Sequence, residues 1–377
     1  MVRLGDVATY INGYAFKPSD WSDTGLPIIR IQDLTGNSYQ ANRYNGEYSS
    51  KYEVNNGDVL ISWSASLGVY VWHGEKALLN QHIFKVVFNK EEISKNFFVY
   101  QVENILEKAA SEAHGATMKH LTKPVFDALP FYLPSIEEQR RIAATLDKVT
   151  DLISKRRQQL DKLDELVKAR FVEMFGDPES NDKNWPVLPM SKICSVGSSK
   201  RIYQSEQSSS GVPFWRISDL TNLITTGTVT SELYIPEERY KKLKSQGQVP
   251  APGDILITSR GTLGQCYIVK VNDKFYFQDG MISWLSGYVD GVTPLYISYL
   301  FMMPGFRKQI DSMQAGSTVA YLSIAMIKKL KVMLPDIESQ QQFASFVGKT
   351  EKAKTTISRS LEKLETLKKA LMQECFG

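Results

Sequence analysis

The chain has 377 residues, with 45 Lys and Arg against 41 Asp and Glu, for a formal net charge of +4. A hydrophobic content of 42% and 11% aromatic residues exclude long disorder. Three cysteines without CxxC spacing argue against a disulfide framework or a structural zinc and point to a reducing, cytoplasmic setting. No run of eighteen apolar residues is present, so no membrane span is expected, and MVRLGDVATY does not read as a signal peptide.

Residues 1–134 read as a mixed segment. Strand-like pieces, DVLISW (58–63) and HIFKVVF (82–88), are separated by turn residues such as Asn55-Asn56-Gly57-Asp58. A helical piece, NFFVYQVENILEKAASEA (96–113), follows. Residues 135–176 change character: Ser135 and Glu138 form a capping-box pattern behind Pro134. Apolar positions then step by three and four through Leu146, Val149, Ile153, Leu160, Leu163 and Val167. This predicts one helix of about 40 residues, roughly 60 Å long at 1.5 Å per residue, stopped by Gly176-Asp177-Pro178. Residues 177–335 form a second mixed segment, and 336–377 a second long helix with Ile357, Leu361, Leu364 and Leu371 on its stripe.

The second half repeats the first. GLPIIRIQDLT (25–35) returns as GVPFWRISDLT (211–221), NNGDVLIS (55–62) as APGDILIT (251–258), and LPSIEEQ (133–139) as LPDIESQ (334–340). The offset grows from 186 to 201, so the second copy carries small insertions. Two helices of equal length and matching stripe are expected to bury each other's seams as an antiparallel pair, since a lone helix with an exposed apolar seam is not stable. The competing reading packs each helix only on its own module.

Catalytic patterns are missing. The four histidines show no HExxH spacing, and no GxSxG or G-x-G-x-x-G occurs. Gly348-Lys349-Thr350 lacks the upstream glycine of a phosphate loop, because that position is Phe343. An [DN]-P-P-[YFW] tetrapeptide is also missing, so cofactor-dependent base methylation by this chain is not expected.

Each half thus carries R-I-x-D-L, then G-D-[VI]-L-I-[ST] with a loop ending in Leu-Gly, then G-[AS]-T, then L-P-x-I-E-x-Q opening a long helix. This duplicated order resembles the DNA-specificity subunit of type I restriction-modification systems, over essentially the whole chain. The resemblance implies an α+β fold: two similar target recognition domains joined by two long antiparallel coiled-coil helices, with pseudo-twofold symmetry. It also implies a non-catalytic subunit that binds double-stranded DNA and docks two modification subunits through its helices, leaving open whether restriction subunits also bind. S-adenosylmethionine, ATP and magnesium would belong to those partners, with no cofactor or metal on this chain. One departure is that Gln340–Phe343 reads QQQF where Glu138–Arg141 reads EQRR.

Under that reading, residues shared by both copies hold the fold, and differing residues in equivalent loops read DNA. Arg30 with Asp33, and Arg216 with Asp219, are expected to be ion pairs or, for the arginines, phosphate contacts. After the central strand the copies diverge: Ser62, Trp63, Ser64 and Ser66 on one side, Ser259, Arg260 and Thr262 on the other. Arg260 has the donors to read guanine O6 and N7. A second divergent place pairs Lys119 and His120 with Tyr321. Lys200, Arg201, Lys241 and Lys244 suit backbone contact. Ordinary solvated loops and faces remain the competing reading for each of these sites. The alternative for the whole chain is a duplicated coiled-coil scaffold without DNA readout.

Overall fold

The computed structural model describes all residues except 38–41, 65, 113–121 and 315–319, so Lys119 and His120 lie outside the described residues. The chain forms two compact units: residues 1–158 with 358–377, and residues 159–357. The division falls inside both long helices, Ile136–Phe175 and Ile337–Phe376, each of which contributes a part to either unit.

In the first unit an antiparallel sheet takes the order Thr9–Asn12, Ile83–Val87, Val59–Ser62, Gly68–Val71. A second sheet takes the order Arg43–Tyr44, Leu26–Ile29, Ala77–Leu79, Glu53–Val54, with its two middle strands parallel. The strand Val59–Ser62 is buried along its length because it serves two cores. Val59 and Ile61 enter the larger apolar cluster, whereas Leu60 enters a smaller one with Ile29, Val54 and Leu79.

The second unit repeats this plan. Its antiparallel sheet runs Ser195–Gly197, Ile282–Ser286, Ile255–Thr258, Cys266–Ile268. Val212–Trp215 pairs in parallel with Tyr276–Phe277, as Leu26–Ile29 does with Ala77–Leu79. Ile255 and Ile257 face one core and Leu256 the other. Period-two alternation sends neighbouring side chains to opposite faces, so the shared G-D-[VI]-L-I pattern is a strand sandwiched between two apolar layers. The fold is α+β, with two similar mixed units and two long helices.

The helices run antiparallel within each unit. In the first, Leu146 packs with Met372 and Leu371, and Arg157 bonds Glu365 at 2.7 Å further along. In the second, Lys354 bonds Asp164 at 2.5 Å, while Val167 and Phe171 pack with Val347 and Phe343. The seam is buried where a helix end meets a module, at Leu146, Ile153 and Val167. It is half-buried at Leu160, Leu163, Ile357, Leu361, Leu364 and Leu371. Both readings of the helices therefore apply at once, because each module is packed by the start of one helix and the end of the other.

The last residue of the L-P-x-I-E-x-Q motif explains its recurrence. Gln139 accepts from Ser94 N at 2.9 Å and donates to Pro134 O at 3.0 Å. Gln340 accepts from Thr293 N at 2.9 Å and donates to Pro335 O at 2.9 Å. Each buried amide clamps the start of a long helix to the start of an earlier helix in the same unit, Lys95–Glu112 or Pro294–Leu300. These equivalent glutamines also correct the register of the QQQF departure. Phe343, three residues beyond Gln340, matches the buried Ile142 rather than Arg141.

Candidate nucleic-acid interface

In both units the strand ends converge on one edge. In the second unit, Ser195–Gly197, Val212–Trp215, Ile255–Thr258 and Tyr276–Phe277 all finish there, and Ile282–Ser286 begins there. Backbone bonds tie the loops together: Ser259 N to Met281 O at 2.9 Å, Gln278 N to Trp215 O at 2.9 Å, and Leu322 N to Ser259 O at 3.0 Å. The edge thereby gathers Lys200, Arg201, Arg216, Arg260, Thr262 and Tyr321 from four separate stretches of sequence.

Arg260 and Tyr321, taken from two different divergent loops, are in contact. The guanidinium carbon lies 5.3 Å from the centre of the Tyr321 ring, a cation–π distance. Tyr321 is itself fixed, since its N–H donates to Gln314 Oε1 at 2.8 Å and its carbonyl accepts from Gln314 Nε2 at 3.1 Å. Arg260, Gly261 and Thr262 are exposed, and Gly261 takes φ +68°, a conformation that favours glycine. Beside them Arg201 Nε donates to Asp279 Oδ2 at 2.9 Å, and that bond raises the arginine above its usual range. The Lys200 side chain is exposed. Lys241 and Lys244 are also exposed, on the helix Glu237–Ser245. That helix leaves the opposite end of the Tyr234–Ile235 strand, so the topology does not bring these lysines to the edge.

The first unit presents the same edge with different residues. Tyr14, Arg30, Trp63, Ser66 and the turn Asn80-Gln81-His82 stand where Lys200, Arg216, Ser259–Thr262 and Gln278-Asp279-Gly280 stand in the second. Gly13 allows the crossing of strands there, because a Cβ on it would lie 2.1 Å from the Asn80 carbonyl oxygen. The two turns after the parallel strands, 80–82 and 278–280, are edge residues that sequence reasoning missed. Their signal was present: Leu79-Asn80 and Phe277-Gln278 repeat an apolar residue followed by an amide, and the next residues differ.

Three expected contacts are corrected by burial. Ser62 is fully buried and its Oγ donates to Ser64 O at 3.2 Å and Ser66 O at 2.6 Å. Thr258 plays the same part in the second unit, donating to Thr262 O at 2.5 Å. This hydroxyl shapes the divergent loop from beneath, which is why both copies keep a Ser or Thr there. Ser64 is buried, and so is Ser259, whose Oγ lies 2.8 Å from Ser283 Oγ. Ser62, Ser64 and Ser259 therefore lie beneath the loop surface rather than on it. Trp63 is half-buried, stacked 5.7 Å from Phe84, with its Nε1 donating to Asn12 Oδ1 at 3.2 Å.

The shared Asp residues start helices. Asp33 Oδ2 accepts from Arg30 N at 2.8 Å, and Asp219 Oδ2 from Arg216 N at 2.8 Å. The arginine side chains are looser partners, at 3.9 Å and 3.5 Å from the same carboxylates. Each carboxylate thus caps the backbone and pairs with the guanidinium at once, the backbone cap being the shorter contact. Among the described residues, no group of three or more His, Cys, Asp or Glu side chains is placed to hold a metal, and no helix is long and apolar enough to cross a membrane.

Comparison with known proteins adds an independent line. A family model described as the type I restriction modification DNA specificity domain matches residues 1–164 and 182–368. The MjaVIII specificity subunit of Methanocaldococcus jannaschii is 23% identical, over 99% of this chain and 90% of its own length. The EcoBI specificity subunit of Escherichia coli is 22% identical, over 100% and 85%. Among solved structures, a chain from work on complex assembly and conformational transition of the type I R-M system gives a TM-score of 0.58 at 16% identity, covering 100% of this chain and 96% of that one. The type I restriction-modification S subunit from M. genitalium gives 0.53 at 14% identity, covering 100% and 95%. These likenesses show the fold.

Proposed function

The chain belongs to the type I restriction-modification DNA specificity family, and on that premise we propose that it is the non-catalytic subunit that reads a bipartite DNA target, one half-site per unit. Segments 1–134 and 177–335 serve as target recognition domains. The helices 135–176 and 336–377 hold them at a fixed separation and dock modification subunits, which bring S-adenosylmethionine. The observation that carries this reading is the repeated edge: one strand framework, one buried hydroxyl under each loop, and different exposed side chains on top. A shared frame with divergent tips is what two nonidentical half-sites require, because base-edge contacts specify while the frame only positions. Arg260, with Tyr321 behind it, and Arg201 and Lys200 beside it, give the second unit a cationic edge suited to guanine and phosphate. Gln81 and Asn80 give the first an amide-bearing edge suited to adenine.

Methylation mapping in a host with and without this gene tests the reading. A split motif that appears with the gene, and whose gap changes when both helices lose the same number of turns while its half-site bases stay fixed, is the expected result. A motif independent of the gene, or a gap indifferent to helix length, overturns it and favours a scaffold.

A further inference from the structure

Tyr14, Phe16, Tyr44, Tyr48 and Tyr52 of the first unit line a cavity of about 360 Å³, with Glu47 and Ser49 at its rim. Phe16 meets Tyr14 at 4.9 Å and Tyr44 at 5.2 Å, both edge-on, and Tyr14 meets Tyr52 at 5.6 Å, tilted. None of these three pairs is stacked face to face. Lys51 Nζ lies 4.8 Å from the Tyr52 ring centre. Tyr14 is 45% exposed and Tyr48 39%, a clustered aromatic exposure of the kind that marks a binding site.

The second unit shows what this place looks like when filled. There Ile202, at the position of Phe16, and Ile235, at that of Tyr44, are covered by Tyr240 and Leu243 from the helix Glu237–Ser245. The segment from Tyr44 to Asp58 is five residues shorter than that from Ile235 to Asp254, and its helical part is the single turn Ser50–Tyr52. The covering helix is therefore missing from the first unit, and aromatic residues stand where the second unit has aliphatic ones.

We infer that this cavity holds one unstacked base of the bound DNA, an inference that rests on the DNA-reading function proposed above. Three observations favour a base. The volume lies at the small end for ligand cavities, enough for one planar ring rather than an extended peptide. The lining is aromatic, and every base offers a π-face to such rings. Tyr14 belongs both to the cavity and to the edge, since its N–H donates to Leu79 O at 2.8 Å beside the turn 80–82. Lys51 supplies a cation for the phosphate that follows the base. Unstacking a base costs a few kcal/mol, least where its pairing is already weak, and stacking on the rings offsets that cost.

The test uses the chain assembled with its modification subunits and duplexes bearing the mapped target, with 2-aminopurine placed in turn at each position of the first unit's half-site. One position should change its emission on binding. Phe16→Ala with Tyr52→Ala should abolish that change and weaken binding about 10-fold. A mismatch opposite that base should tighten binding of the parent protein and not of the variant. Ser49→Trp, an exposed rim substitution that leaves the apolar core untouched, should block the cavity with the same loss. Sequence-specific binding with no responsive position, or a response that survives both variants, overturns the inference. So does Ser49→Trp releasing the modification subunits while DNA emission is unaffected, which would make the occupant a partner segment. Failure of the parent complex to bind any duplex removes the premise as well, and is told apart by the missing binding itself.

Discussion

Replacing Gln340 separates a clamp inside the fold from a docking residue on its surface. Its amide is fully buried and makes four hydrogen bonds: from Thr293 N and Oγ1 at 2.9 and 3.1 Å, and to Gly291 O and Pro335 O at 2.8 and 2.9 Å. Gln340→Leu keeps the volume and strips the partners from Thr293 N–H and the Pro335 carbonyl. An unsatisfied buried group costs about 1–3 kcal/mol, so a loss of roughly 2–4 kcal/mol is expected. Among the described residues Gln139 makes the two bonds common to both copies and no others, so Gln139→Leu should cost about 1 kcal/mol less. Gln340→Glu adds a sign test. A carboxylate facing two carbonyls has its pKa raised above the usual value near 4.3. The stability of that variant is then fully present below about pH 4.3 and is lost as pH rises through the raised value. Peptide-resolved hydrogen exchange over 291–300 and 89–98 measures the local opening of each unit separately, which a single melting curve for a two-unit chain does not. Losses under about 0.5 kcal/mol in both Leu variants would refute the clamp. So would unchanged exchange coupled to failed assembly with partner subunits.

Arg260→Lys should keep most of the affinity at low salt and lose about 5- to 150-fold of discrimination at a single base, because lysine retains the charge but not the paired donors. Competition with singly substituted duplexes reads this, and a loss spread evenly over all positions would instead make Arg260 a phosphate contact. Burial pushes the Cys194 thiol up to about 12 and raises Cys266 as well, so neither should react with a disulfide reagent at pH 8 until the chain is unfolded. Because only the unfolded chain then releases these protons readily, each thiol should also lower stability as pH rises above about 8.5. Prompt native labelling of Cys194, located by mass spectrometry, would contradict that burial.

The duplication, the two long helices and the central strand were legible because each is a local pattern, repeated in order. A four-residue apolar strand and a 40-residue stripe announce themselves by period alone. The glutamine closing L-P-x-I-E-x-Q was visible as a recurrence, but its role was not. Its partners Ser94 and Thr293 lie 45 and 47 residues upstream, and only the packed helices bring them near. Ser62 and Ser259 misled for the opposite reason. A polar residue at a strand end reads as exposed, yet here it ties a loop down from inside. The turns 80–82 and 278–280 reach the edge through a parallel strand pairing across 50 residues of sequence in the first unit and 62 in the second, which no local signal records.

That contrast separates two kinds of similarity between the units. Where the copies agree in these contacts, the agreeing atoms sit inside the fold: the Asp carboxylate on a helix start, half-buried at Asp33 and buried at Asp219, the hydroxyl under the loop, the glutamine on its backbone partners. Where they differ, the difference sits on side chains that the same buried atoms hold outward, as with Arg260 against Tyr321. Changing such an outward residue leaves the supporting bonds intact, so the units can diverge in what they touch without losing the frame. The aromatic cavity goes further. The copies differ there by a missing helix as well as by side chains, so the first unit gains a concave surface that the second fills from within. A pair of units related only by substitutions would read two half-sites in one manner. A pair that also differs by a cavity is equipped to handle one half-site differently, and that is the asymmetry the 2-aminopurine experiment detects.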